Sequence, residues 1–269
     1  MSRRHLIFNC RGAMLAGTLD TAPSATGLLI VSGGNEVRSG PFASQAALAE
    51  RIAAAGFPVL RFDRRGIGDS EGENATFTAS APDIAAALRA FRAHVPTLRG
   101  VVAFGNCDAA SALMLAGGEG CDALVLANPW TFEPETETSE AAIEAPPQMT
   151  PQRIRAHYLR RLADPRAWLR LLGGKVKVST LAASLKDAAA PDAPPTGLAH
   201  DMAAGLAGFA GAATILIAER DRTAQAFLDH WDKSDRRLRR CPEASHSFVE
   251  PQARIWLLGQ LLAALRSVA

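Results

Sequence analysis

The sequence predicts an α/β fold built on a mostly parallel, doubly wound sheet, and three observations carry that expectation. Short apolar runs, among them Thr26 to Val31 (TGLLIV), Val101 to Phe104, Ala123 to Ala127 (ALVLA) and Ala213 to Ile217 (ATILI), alternate with stretches of helical period. Glycine-rich loops follow the early runs, SGGN after Val31 and DRRGIGDSEG after Phe62. The segment GNCDAASA after Phe104 reads as a sharp turn between a buried strand and an alanine-rich helix.

Taken in order, His5 to Cys10 and Met14 to Leu19 are two strands joined at Arg11-Gly12, a hairpin that opens the sheet. Thr26 to Val31 is the third strand. Pro41 to Ala55 is an amphipathic helix, with Phe42, Ala46, Leu48, Ala49 and Ile52 at its apolar positions, and Gly56 ends it. Phe57 to Phe62 is the next strand. The loop from Asp63 to Gly72 is read as scaffold, its glycines permitting the turn and its charges satisfying loop carbonyls. Its Gly66-x-Gly68 is not followed by Lys-Ser/Thr, so it is a poor phosphate loop. Asp83 to Arg92 is a helix, Val101 to Phe104 a strand, Ala109 to Ala116 a helix, and Ala123 to Ala127 the sixth strand, ending at Asn128-Pro129-Trp130.

Beyond Trp130 the composition changes. Glu133 to Glu144 is acidic, Pro146-Pro147 follows, and Arg153 to Leu172 is basic with Tyr158, Leu162, Trp168 and Leu169 at helical spacing. A proline-rich link runs from Asp187 to Pro195. The range of about 130–208 is read as a helical cap inserted into a single domain that spans 1–269. The sheet resumes at Ala213 to Ile217, Thr223 to Trp231 is a helix, and Arg237 to Cys241 is the last strand. Gln252 to Ser267 is the final helix, with Ile255, Leu258, Leu261, Leu262 and Leu265 on one face.

The chemistry is concentrated at the ends of these strands. In G-N-C-D-A, Cys107 occupies the place of the serine in the G-x-S-x-G elbow of α/β-hydrolases, and Ala109 that of the second glycine. A cysteine at a helix N-terminus meets free N–H groups and the positive end of the helix dipole, which favour a thiolate. The Asp108 N–H is an expected oxyanion donor, and the Asn35 or Gly34 N–H, in the loop after the third strand, the second. Asp221 ends the strand ATILIAERD, and His246 sits between the last strand and last helix, so Cys107, Asp221 and His246 follow the nucleophile–acid–base order of that fold. Glu219 is the neighbouring alternative for the acid, and aspartate is favoured because it lies later in the turn. Trp130, Tyr158 and Trp168 are expected to wall an apolar pocket.

The charge balance adds exclusions. The 269 residues carry a net charge of +2, which gives no bulk attraction to nucleic acid or membrane. Cys10, Cys107, Cys121 and Cys241 form no C-x-x-C pair, so no zinc site and no disulfide framework is expected, and a reducing, cytoplasmic setting is. No metal ligand cluster, cofactor motif or run long enough to span a membrane is visible, so neither a metal, a cofactor nor membrane insertion is expected.

Over nearly its whole length the chain resembles the first of the two hydrolases associated with the exosortase A system. The matching stretches are LLIVSGGNEVRSG, AAAGFPVLRFDRRGIGDSEGE, GNCDAASA, ALVLANPW and YLRRLADPRAWLRLL. The resemblance implies a cytoplasmic α/β-hydrolase linked to exopolysaccharide loci and PEP-CTERM protein sorting. At Gly33 the chain departs from the histidine that many superfamily members carry. Three functions follow as expectations. The first is a cysteine-dependent hydrolase of a small acyl ester or thioester, its substrate free or bound to CoA or a carrier. The second is an acyltransferase from such a thioester to a sugar or amine. The third is a non-catalytic scaffold.

Overall fold

A computed structural model describes residues 2–132 and 197–269. The acidic stretch, the basic helix and the two pocket residues Tyr158 and Trp168 lie outside the described residues, as does most of the range expected for a cap.

Eight strands form one sheet in the order β1-β2-β4-β3-β5-β6-β7-β8. They are β1 (Arg3–Cys10), β2 (Ala13–Asp20), β3 (Thr26–Val31), β4 (Val59–Phe62), β5 (Gly100–Asn106), β6 (Ala123–Ala127), β7 (Ala212–Ala218) and β8 (Leu238–Cys241). β2 pairs antiparallel with β1 and with β4, and every other pair is parallel. The hairpin between β1 and β2 turns at Arg11 and Gly12, both at positive φ (52° and 90°), as a two-residue turn matched to the strand twist requires.

The helices described are α1 (Ser44–Ala54), α2 (Ala81–His94), α3 (Asp108–Leu115), α4 (Gly197–Ala207), α5 (Arg222–Asp229) and α6 (Pro251–Val268). Strands buried on both faces read as continuous apolar runs. In β5, Val101 and Ala103 enter one core with Phe91 of α2, Leu113 of α3 and Phe227 of α5. Val102 and Phe104 enter the other, with Ile52 of α1 and Leu261 and Leu265 of α6. α4 lies inside the range expected for the cap, yet its buried face (Leu198, Met202 and Leu206) joins the first core.

Two apolar residues depart from the helical faces expected for them. Phe42 is fully exposed (104%), because Phe42 and Ala43 adopt left-handed backbone (φ 50° and 57°) and α1 begins only at Ser44. Ile255 is 62% exposed, because α6 turns the row Ala253, Leu257, Leu261 and Leu265 to the sheet, a strict i, i+4 stripe that leaves residue 255 on the opposite side.

Register brings the chemistry to one rim. Val31 is level with Phe62 and Gly105, Asn106 with Ala127, Ala127 with Leu216, and Ala218 with Cys241. The parallel strands therefore end together, and the loops that follow β3, β5, β6, β7 and β8 emerge side by side.

Candidate active site

Cys107 stands between β5 and α3 at φ 62° and ψ −129°, a conformation that costs a non-glycine residue about 1–3 kcal/mol and recurs at functional turns. The small neighbours make it possible. A Cβ on Gly105 would lie 2.6 Å from the main-chain carbon of Ala109, and Ala109 itself is fully buried. The turn is fastened by Cys107 N–H donating to the Ala127 carbonyl (3.0 Å) and by Ala110 N–H donating to the Cys107 carbonyl (3.0 Å).

Asp221 is the N-cap of α5. Its carboxylate accepts from Thr223 N (3.2 Å) and Ala224 N (3.0 Å), so the helix start holds it in place at 8% exposure. Asp221 Oδ2 is also 2.9 Å from His246 Nδ1, whereas Glu219 is exposed. With Nδ1 engaged, Nε2 is the nitrogen left for the thiol. The Cys107 and His246 side chains are close enough to shift each other's titration, so the structure brings together all three residues expected from the chain order.

Electrostatics act on the pair in opposite senses. Burial pushes the Cys107 thiol up, while the hydrogen bond to His246 and the Asp108 N–H pull it back. His246 is pushed up to about 10: burial opposes the charged ring, and the hydrogen bonds to Asp221 and Cys107 outweigh it. The proton therefore belongs to the pair rather than to either residue.

Two asparagines at strand ends, Asn106 and Asn128, fix the histidine loop. Asn128 Nδ2 donates to the His246 carbonyl (3.0 Å) and to Asn106 Oδ1 (3.0 Å), and Asn106 Nδ2 donates to the same His246 carbonyl (3.2 Å). Asn128 Oδ1 in turn accepts from Ala218 N (2.8 Å), so the ends of β5, β6 and β7 and the histidine loop share one network. The signal was present as polar residues at the ends of apolar strands, GN in β5 and AN after β6.

The loop after β3 corrects one expectation. Gly34 N–H donates to Asp108 Oδ1 (2.6 Å) and so is not available as an oxyanion donor, which leaves Asn35 N–H. A Cβ on Gly33 would lie 2.7 Å from both Asp108 Oδ1 and the Asn106 carbonyl oxygen. The approach of the Asp108 carboxylate therefore explains glycine where superfamily members often carry histidine.

Arg64, read as scaffold, reaches this loop: its guanidinium donates to the Gly34 carbonyl, faces Asp108 Oδ2 at 3.4 Å and donates to Ser80 Oγ at 3.0 Å. Glu36, also unforeseen, is pushed up by burial, with the charge of His246 acting against that rise and the charge of Asp108 adding to it. Trp130 is tied to α3 by Ser111, whose Oγ donates to the Trp130 carbonyl (2.7 Å) and accepts from Trp130 N (2.8 Å).

A cavity of about 410 Å³, lined by Arg3, His5, Thr18, Arg38 and Arg61 among others, includes none of these residues. Among the described residues no group of three or more His, Cys, Asp or Glu is placed to hold a metal ion, and no helix is long and apolar enough to cross a membrane.

A parallel-centred sheet with a strained strand-to-helix turn at Cys107, and with Asp221 and His246 on the same rim, has the architecture of an α/β-hydrolase. The family model described as alpha/beta hydrolase family matches residues 28–255, and the chain belongs to that family. Similar solved structures include the alpha/beta hydrolase GrgF from Penicillium sp. sh18, with 18% identity and a TM-score of 0.62 over 100% of this chain and 99% of that one. The Pyrococcus furiosus esterase Pf2001 shares 13% identity with a TM-score of 0.64, over 99% of this chain and 93% of that one. XC6422 from Xanthomonas campestris, described as an a/b serine hydrolase without lid, shares 16% identity with a TM-score of 0.58, over 99% and 95%. At these identities the likeness is one of fold. No curated protein matches the sequence.

Proposed function

We propose that the protein is a cysteine-nucleophile acyl hydrolase, acting on a small ester or thioester through Cys107, His246 and Asp221. The observation that carries the reading is the joint geometry: a cysteine at a positive-φ elbow, beside a histidine whose Nδ1 is 2.9 Å from a helix-capping aspartate.

In the proposed reaction His246 Nε2 takes the Sγ proton while Asp221 holds the ring and its developing charge. The thiolate attacks the acyl carbonyl, and the Asp108 and Asn35 N–H groups receive the oxyanion. Collapse expels the alcohol or thiol, which takes the proton from His246 and leaves an acyl thioester on Cys107. Water, deprotonated by His246, then attacks that thioester; the acid leaves, and Cys107 Sγ takes the proton back from His246.

Cysteine in place of serine also supports acyl transfer, since a thioester is more open to amine and thiol attack than an oxyester. Trp130 is proposed as a wall of the pocket. The motif resemblance supports a place among the exosortase A system-associated hydrolases, and with it a cytoplasmic setting.

The test is labelling and turnover together. Iodoacetamide is expected to modify Cys107 stoichiometrically and to abolish hydrolysis of p-nitrophenyl and acyl-thioester substrates, with Cys107→Ala inert in both assays. Modification at Cys10 or Cys241 with Cys107 untouched overturns the assignment. Product analysis with amine and sugar acceptors present separates transfer from hydrolysis.

A further inference from the structure

The Asp108 side chain does something that a nucleophile elbow does not require. One carboxylate oxygen takes the Gly34 N–H at 2.6 Å, and the other faces Arg64 at 3.4 Å. The Arg64 nitrogen that meets Asp108 also donates to the Gly34 carbonyl. The two peptide planes that flank Gly34 are thus each held by one member of the pair. The second of those planes carries the Asn35 N–H. A trans peptide is planar, so its N–H points opposite to its C=O. Holding the Gly34 carbonyl against Arg64 therefore sends the Asn35 N–H the other way.

The pair is built into the protein rather than resting on its surface. Arg64 is 5% exposed and is anchored to Ser80, itself 2% exposed, while Gly34 sits at φ 54°, where its peptide planes need an external hold. With Arg64 buried and Asp108 half-buried, the ion pair itself adds little net stability, and what it supplies is a fixed geometry.

We propose that Asp108 and Arg64 are positioning residues that aim the Asn35 N–H at the oxygen of the acyl group attacked by Cys107. The inference rests on the acyl-hydrolase reading above. It makes the oxyanion donor set Asp108 N–H and Asn35 N–H, with Gly34 N–H spent on alignment. Asp108 then serves twice, through its own N–H and through the carboxylate that sets its counterpart.

The test separates two reactions of the same thiol. Alkylation by iodoacetamide needs a thiolate but develops no oxyanion, whereas acylation by p-nitrophenyl butyrate needs both. Asp108→Ala and Arg64→Gln are expected to lower the single-turnover acylation rate about 100-fold, the effect of losing one oxyanion donor, with KM nearly unchanged. Alkylation of Cys107 in the same samples is expected not to slow, because the Asp108 carboxylate raises the thiol and its removal does the opposite. Asp108→Asn, whose amide oxygen still accepts from Gly34 N–H, is expected to stay within about 10-fold of the wild type. Acylation that is unchanged in Asp108→Ala, or acylation and alkylation that fall together, overturns the positioning role. Absence of Cys107 alkylation in the wild type is a different failure: it removes the nucleophile assignment and this inference with it.

Discussion

The side-chain amide of Asn128 donates to the main-chain carbonyl of His246 at 3.0 Å, joining residues 118 positions apart. Asn128 is fully buried, and φ 45° there is a conformation that asparagine tolerates better than most residues. Its other side-chain atom accepts the Ala218 N–H at the end of β7. One side chain thus sets the height of the histidine loop relative to the strand that leads to Asp221.

Replacing Asn128 tests that reading. Asn128→Ala strands a buried N–H and reduces the partners of the His246 carbonyl to Asn106 alone, and each unsatisfied buried group costs about 1–3 kcal/mol. The expected outcome is a clear fall in Tm and a fall in ester turnover larger than Asn106→Ala produces, measured by thermal melts and p-nitrophenyl butyrate hydrolysis. Equal turnover in the two variants removes Asn128 from any role beyond stability.

The partner of the thiol gives a second expectation. Burial raises Cys107 and the His246 contact lowers it, so His246→Ala leaves burial opposed only by the Asp108 N–H and the thiol rises further. Each unit of rise removes about tenfold of thiolate at fixed pH. At pH 7.5 the iodoacetamide rate at Cys107 is expected to drop at least about tenfold. Asp221→Asn keeps the helix cap but not the charge on the ring, and is expected to lower turnover about 100-fold or more with the fold intact by circular dichroism.

The same histidine predicts how stability depends on pH. His246 is pushed up to about 10 from 6.5, so the folded state holds its proton more tightly than the unfolded state. Stabilisation from this site is therefore complete below about pH 6.5 and is lost as pH rises toward 10. Thermal melts of wild type and His246→Gln should differ most at pH 6 and converge by pH 10. A difference that grows with pH contradicts the raised histidine.

Legibility in the sequence followed the physics of each feature. Strands buried on both faces announce themselves, and β3 and β6 run over the residues their apolar runs mark out. Helix faces were read less well where a local backbone feature intervened. Phe42 fits the apolar period of α1, but the period says nothing of the left-handed backbone at residues 42 and 43 that turns it outward. The positions of Cys107, Asp221 and His246 were legible because fold topology orders strand-end loops. The contact of the Asp108 carboxylate with Gly34 and Arg64 was not, because the three lie in two loops and an elbow whose meeting depends on register between β3, β4 and β5.

Gly105 carries the last prediction. It precedes Cys107 by two residues, at the level of Val31 on one side and Leu126 on the other, where β5 is fully enclosed by its neighbours. A Cβ there would lie 2.6 Å from the Ala109 carbon, 2.7 Å from its carbonyl oxygen and 2.8 Å from Ala110 N. All three atoms are backbone of the first turn of α3, so no rotamer change relieves the clash. Either α3 moves away from β5 or the Cys107 turn opens. Overpacking a core costs about 1–3 kcal/mol, and here the strain falls on the Cys107 turn itself. Gly105→Ala is therefore expected to lose far more activity than stability, with Cys107 alkylation slowed because the thiol leaves His246. Ala109→Gly, which leaves those backbone atoms facing Gly105 unchanged in kind, is expected to keep the alkylation rate within about threefold while costing roughly 1 kcal/mol of helix stability. A Gly105→Ala protein that melts lower but alkylates and turns over like the wild type would mean that close packing at the elbow serves the core alone.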